Sequence, residues 1–241
     1  MKETLKSDRV LFWILVTVLL AGSLVVTKFP LIVAGDGLQY ILQAEAFGNH
    51  FSFGISEEDV LQAEAEFPNE AAELHEEYFV NQWGQFHDYK DVKYSNHYGM
   101  YSAFVVPVKL LFSRLGVYPL RAFFFTNYLL FAICVLFVFC FLKAGKIERL
   151  ALTLLCMVNP VVFYVAWTHS EVFIYCFVVI GLVFHYNRQY AGAVFFTSVG
   201  AMQNPAVLVF AMVMGLELCL RTAAEAKGMP SRKRAKYFFF R

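Results

Sequence analysis

The sequence predicts an all-α membrane protein: a polytopic helix bundle of about six spans, with a helical external loop between the first and second. Three observations predict it. Hydrophobic residues make up 59% of the 241 residues and charged ones only 16%, against roughly 45–50% and about 25% in soluble domains. A water-soluble fold of this size has no core large enough to hide so much apolar side chain. The apolar residues also gather into separate runs, several near the ~20 residues needed to cross the hydrocarbon of a bilayer. Finally, the net charge of +1 conceals a segregation. Residues 34–98 hold 13 acids against Lys90 and Lys93, a net −11, while the rest of the chain carries 18 basic and 6 acidic residues, a net +12. Two compartments are addressed. A secreted disulfide scaffold, a disordered chain and a nucleic-acid binder are excluded.

The first run, residues 10–26, follows Lys2, Lys6 and Arg9. It is longer than the apolar core of a signal peptide and lacks a small-residue cleavage pattern, so it reads as a retained anchor; residues 1–33 form the cytoplasmic start and first span. Residues 34–117 read as an external acidic loop with two or three surface helices. Asp36-Gly37-Leu38-Gln39-Tyr40 opens an amphipathic segment reaching Phe47, and Ser56-Glu57-Glu58-Asp59 is a capping box ahead of the Glu-rich run 57–77. Residues 98–115, interrupted by Pro107, Lys109 and Arg114, suit a helix lying in the membrane interface with snorkelling cations.

Residues 118–220 supply the remaining five spans: 118–142, 150–167, 172–186, and the run 191–220 divided at Gln203-Asn204-Pro205, because proline removes a donor and disfavours helix just before itself. The positive-inside rule selects this count. With six spans, Lys2/Lys6/Arg9, Lys143/Lys146/Arg149, Arg188 and the basic cluster 231–236 all fall in the cytoplasm. Residues 221–241 then form a basic tail or the start of a further segment, since Tyr237-Phe238-Phe239-Phe240 resembles the entrance to another span. The five cysteines lie in apolar runs without metal spacing and read as small hydrophobes.

This topology gathers polar residues at one external membrane face. Asp36 follows the first span, His97 and Tyr98 precede the interfacial helix, and His169 and Glu171 join the third and fourth spans. Acids at a lipid boundary are functional candidates by default. Simpler readings compete: Asp36 with Gln39, and Thr168 with Glu171, each have capping-box spacing; Gln203-Asn204-Pro205 is a helix break; the Glu-rich run is a solvated face.

The arrangement resembles the N-terminal half of the GT-C membrane glycosyltransferases, in the protein mannosyltransferase-like and aminoarabinose transferase-like branch. The resemblance runs over most of residues 10–220: the anchor, the external Asp36 with Tyr40 four residues on, an aromatic helix ending near "LFSRLG", then "LRAFFFTNYLLF", a basic loop, "NPVVFYVAWTHSEVFIY" and "AGAVFFTSVGAMQNPAVLVF". It implies transfer of a sugar from a polyprenyl phosphate to an acceptor at the external face. Asp36 is then the catalytic carboxylate and Glu171, where the family usually has Asp, a second acid that orients acceptor or metal. Gln39, Tyr40, His97, Tyr98, His169 and Asn204 are the implied substrate contacts. Gln39 stands where the family often has Arg, His97 is the nearest match to its phosphate-binding cation, and Asn204 replaces a Lys or Arg before Pro205. His169, Glu171 and Asp36 are also donors suited to a divalent metal; no other cofactor is assigned. The expected setting is a bacterial plasma membrane rather than the endoplasmic reticulum, with the N-terminus cytoplasmic.

Two other classes compete. A non-catalytic accessory module would dock a basic protein partner through the acidic loop. A transporter has only the broken run 191–220 in its favour, with no inverted repeat visible.

Overall fold

The computed structural model describes residues 2–26, 28–71, 86–89 and 92–226. The acids of the Glu-rich run beyond Ala71, the basic cluster 231–236 and the aromatic end of the chain lie outside them. The described chain is mostly helical.

A long first helix, α1 (Lys2–Val26), leads through residues 28–36 into the 37–114 unit, which the sequence predicts to be external. That unit comprises α2 (Gly37–His50), β1 (Gly54–Ile55), α3 (Glu57–Glu66), β2 (Phe86–Tyr89), β3 (Val92–Ser95) and α4 (Met100–Arg114). The strands form an antiparallel sheet in the order β1-β3-β2, a feature too short to leave an alternating pattern in the sequence. Ser56 and Asp59 close the anticipated capping box at the start of α3. The apolar face of residues 98–115 becomes α4, which runs through Pro107.

Two readings of this unit change. α2 is its central helix, not a surface one: Gln39, Gln43 and Glu45 are buried along with its apolar residues. Lys109 does not snorkel. It is buried, with Nζ 2.6 Å from the Glu45 carboxylate and 3.0 Å from Glu66, and it lies over the Phe67 ring. A charge that deep must be paired, and the two acids that pair it tie α4 to α2 and α3. Burial pushes the Glu45 carboxyl upward against the opposing pull of Lys109.

The bundle follows: α5 (Arg121–Phe141), α6 (Lys146–Met157), a 3₁₀ segment Pro160–Ala166, α7 (Glu171–Tyr186), α8 (Tyr190–Ala201), a 3₁₀ turn Pro205–Val207 and α9 (Leu208–Ala226). Among the described residues, three helical stretches are long and apolar enough to cross a membrane: Asp8–Val25, Arg121–Phe141 and Pro205–Ala223. α6 and the following 3₁₀ segment, bent by 45° to one another, are apolar enough for a fourth when taken together as one broken span. The sequence reads residues 150–167 as one continuous span. The bend arises because Pro160 cannot continue the helix, and Asn159 accepts a hydrogen bond from the Val161 N–H to start the new segment. α7 and α8, at 16 and 12 residues, are shorter apolar helices.

Leu15 and Leu19 of α1 pack with Phe131, Cys134 and Val135 of α5 and with Val172, Cys176 and Ile180 of α7. The outward faces of α1 and α9 stay apolar and exposed, as lipid contact requires (Trp13, Leu20, Val209, Met212, Leu216). A second core joins the 37–114 unit to one end of the bundle, where Ile41, Leu42, Val60, Phe67 and Tyr101 meet Leu120, Phe123 and Phe173. Cys134 and Cys176 are buried as small hydrophobes, whereas Cys140 and Cys219 are exposed; all five thiols are free.

Candidate functional site

The segment leaving α1 is laid against the turn before α7. Ile32 donates its N–H to Ala166 O (3.0 Å) and accepts from the Thr168 N–H (3.1 Å), a parallel bridge between Ile32 and Trp167. Two residues on, Ala34 O lies 2.8 Å from His169 Nε2. Gly35 is in the left-handed region at φ 53°, where a residue without Cβ sits without steric cost. Gly37 comes so close to the same turn that a Cβ there would stand 2.1 Å from Thr168 Oγ1. Two glycines thus let the start of α2 abut the 167–170 turn and bring Asp36 beside His169. From below, Asn127 of α5 donates its side-chain amide to Trp167 O (2.9 Å) and fixes the turn.

The capping readings of Asp36 and Thr168 are both corrected. Asp36 occupies the N-cap position of α2 but makes no side-chain cap; its Oδ1 lies 3.2 Å from His97 Nε2. The residue ahead of α7 is Ser170, also without a side-chain cap, while Thr168 is fully buried. Local spacing cannot register a partner some sixty residues away, and here the tertiary partner prevails.

His97 is placed by α2. Gln43 donates to His97 O (2.5 Å), the His97 N–H donates to Ser95 Oγ (3.0 Å), and Ser95 in turn donates to Gln39 Oε1. Gln39 therefore anchors the loop after β3, and the cluster reaches it only through Ser95 and His97.

Tyr40 stands at the centre. Its ring meets His97 and His169 edge-on, each at 6.0 Å between centroids, and Tyr101 at 5.6 Å. Its hydroxyl lies 3.1 Å from Ser170 Oγ and accepts from Gln203 Nε2 at 3.4 Å. Burial raises its pKa further, against the Ser170 hydrogen bond, so the phenol stays protonated at neutral pH.

His169 belongs to a second acid–histidine pair against that ring. His169 Nδ1 is 3.2 Å from Glu171 Oε2. The Glu171 hydrogen bond raises the imidazole pKa against the effect of burial, and the Ala34 carbonyl adds to the rise. Burial works against the Glu171 carboxylate, but the His169 hydrogen bond outweighs it and holds that pKa below the ordinary value. The geometry suits a protonated imidazole, with Nε2 facing the Ala34 carbonyl and Nδ1 hydrogen-bonded to Glu171 Oε1 at 3.4 Å.

Unspent polar capacity surrounds this cluster. His97 Nε2 and Glu171 Oε2 are buried and held only by ion-pair contacts of 3.2 Å, and Thr168 Oγ1 is buried without a hydrogen-bond partner among the described residues. Buried polar atoms are ordinarily satisfied, so the cluster retains hydrogen-bonding capacity for a polar ligand. Two carboxylates and two imidazoles can exchange protons and meet an anion. Among the described residues, no group of three or more His, Cys, Asp or Glu side chains is placed to hold a metal ion.

Asp36, Tyr40, His97, His169 and Glu171 are thus brought together. Tyr98 is exposed, and Asn204 is used at the 3₁₀ turn, where it accepts from the Ala206 N–H (3.0 Å). Its neighbour Gln203 enters the cluster instead, buried, with Oε1 accepting from the Tyr101 N–H (2.7 Å). Sequence reasoning passed over Gln203, Ser170 and Gln43. A polar residue at the break of an apolar run was the available signal for Gln203. No family model, curated protein or solved structure matches the chain.

Proposed function

We propose that the protein transfers a sugar from a polyprenyl-phosphate donor to an acceptor at the external membrane face, with Asp36 as general base. The observation that carries the reading is the pair of acid–histidine contacts, Asp36–His97 and His169–Glu171, with both imidazoles against the Tyr40 ring. They stand where the external unit meets the apolar bundle. A donor with a lipid tail and an anionic head needs both environments within reach. Asp36 takes the proton of an acceptor hydroxyl or amine, the acceptor atom bonds to the sugar's anomeric carbon, and the bond from that carbon to the phosphate oxygen breaks. The departing lipid phosphate keeps the electron pair and gains negative charge, which the His169 imidazolium and His97 are near enough to stabilise. Glu171 holds His169 protonated and orients the acceptor.

In this reading the N-terminus is cytoplasmic and the chain passes the membrane six times. The three long helices, the bent α6 segment and the shorter α7 and α8 each make one pass, in a bacterial plasma membrane. The accessory-module alternative has less support, because much of the acidity is used inside the external unit. Glu45 and Glu66 hold Lys109, Asp59 lies 3.0 Å from His50, and Glu70 accepts from the Tyr118 hydroxyl.

The test is transfer of labelled sugar from a panel of polyprenyl-phosphate donors by the full chain in proteoliposomes. Asp36→Asn is expected to slow transfer by about 10²-fold or more while the protein still inserts and folds. Wild-type turnover in that variant overturns the assignment of Asp36.

A further inference from the structure

At the other end of the α7–α8 hairpin lies a cavity of about 500 Å³, lined by Arg188 and Gln189 of the connecting turn, Tyr190 of α8, and Leu218, Arg221 and Thr222 of α9. α7 separates it from the Asp36 cluster: its 16 residues span about 24 Å at 1.5 Å per residue. The cavity therefore belongs to the opposite membrane boundary.

Its chemistry is cationic. Arg221 lies over the Tyr190 ring at 4.7 Å and contacts Glu217 at 2.8 Å. Glu217 also lies 2.6 Å from His185, and the lining itself holds two arginines and no acid. Arg188 has no carboxylate partner among the described residues, and its backbone is left-handed at φ 62°. That conformation at a helix end ordinarily selects glycine or asparagine. An arginine held there puts a guanidinium at the cavity that a glycine would not. Around it the helix faces are lipid-like, with Tyr186, Leu216 and Leu220 exposed. A phosphate reaching two guanidiniums inside such an apolar border arrives with acyl chains attached, and basic pockets between membrane helices are suited to such headgroups.

We propose that this cavity binds the phosphodiester headgroup of an anionic phospholipid, in the leaflet opposite the Asp36 cluster. The site does not depend on the transfer reaction. It is tested on the full chain in mixed micelles by native mass spectrometry and thermal unfolding, with phosphatidylglycerol, phosphatidylcholine or inorganic phosphate as the added probe. Phosphatidylglycerol is expected to be retained about tenfold over phosphatidylcholine and to raise the melting temperature. Arg221→Gln and Arg188→Gly are expected to abolish that preference. Arg188→Gly relieves the left-handed backbone, so the loss of lipid preference should come without loss of fold. Asp36→Asn is expected to keep the preference. Equal retention of both lipids, an unchanged preference in Arg188→Gly, or equal protection by inorganic phosphate alone overturns the proposal.

Discussion

The 37–114 unit and the apolar bundle hold themselves together by different means. In the 37–114 unit, buried polar and charged groups decide the packing: Lys109 between Glu45 and Glu66, Gln43 on the His97 carbonyl, Asp59 beside His50. In the bundle, size decides. Gly181 of α7 approaches α8 so closely that a Cβ would stand 2.6 Å from Thr197 Cγ2 and 3.2 Å from Ala193 O, and Gly192 of α8 meets the Phe184 ring in the same way. The difference follows from the solvent. Helices in lipid gain little from burying apolar surface against one another and associate through close packing of small residues. A unit in water can use charge, provided every buried ion is paired. The candidate site sits at the seam and draws on both, with its acids and histidines from loops and its rigid footing from Asn127, Phe173 and Gln203 of the bundle.

Breaking the charged lock should have the largest effect on stability. Lys109→Met leaves Glu45 buried without its cation, and removing one member of a buried pair costs about 3–5 kcal/mol; denaturation in detergent should show the 37–114 unit lost first. Gly181→Ala should cost about 1–3 kcal/mol by overpacking, because backbone atoms of α8 must give way. That penalty should not respond to salt or pH, whereas the Lys109 penalty should. Gly37→Ala sharpens the comparison at the seam. Its Cβ meets the hydroxyl of the fully buried Thr168, so stability should fall by about 1–3 kcal/mol as well, but here transfer should also fall about tenfold or more through misplacement of Asp36.

The smallest effect is a pH window. His169 has a raised pKa, so its contribution to stability is complete below its ordinary 6.5 and is lost as pH rises through the elevated value. Glu171 has a lowered pKa, so its contribution is present above its ordinary 4.5 and is lost as pH falls through the depressed value. The difference in melting temperature between wild type and Glu171→Gln should therefore be greatest between those limits and shrink on either side. A difference independent of pH contradicts the ion pair.

Much of this was legible in the sequence. The runs at 10–26, 118–142 and 172–186 announce helices through apolar length alone, and Ser56 with Asp59 announces a helix start through a motif that closes on itself. What escaped depends on distant partners. Lys109 looks like an interfacial cation until Glu45 and Glu66 are placed beside it. Asp36 and Thr168 look like caps because capping spacing is local and His97 is not. The bend after α6 hid because Asn159-Pro160 is flanked by apolar residues that read as one run. At the site, Asp36, His97, His169 and Glu171 could be listed from position along the chain. The role of Gln203 instead of Asn204 depends on which way the broken run turns, and hydropathy carries no such information.

The central claim is that Asp36 and Glu171 serve one reaction from one site, and a double-mutant cycle on transfer turnover tests it most directly. If they act as a unit, Glu171→Gln alone should slow transfer about tenfold or more, yet slow the Asp36→Asn protein by less than about threefold, since residues that act together are strongly non-additive. Independent, multiplying losses would contradict the account, as would wild-type turnover in either single variant.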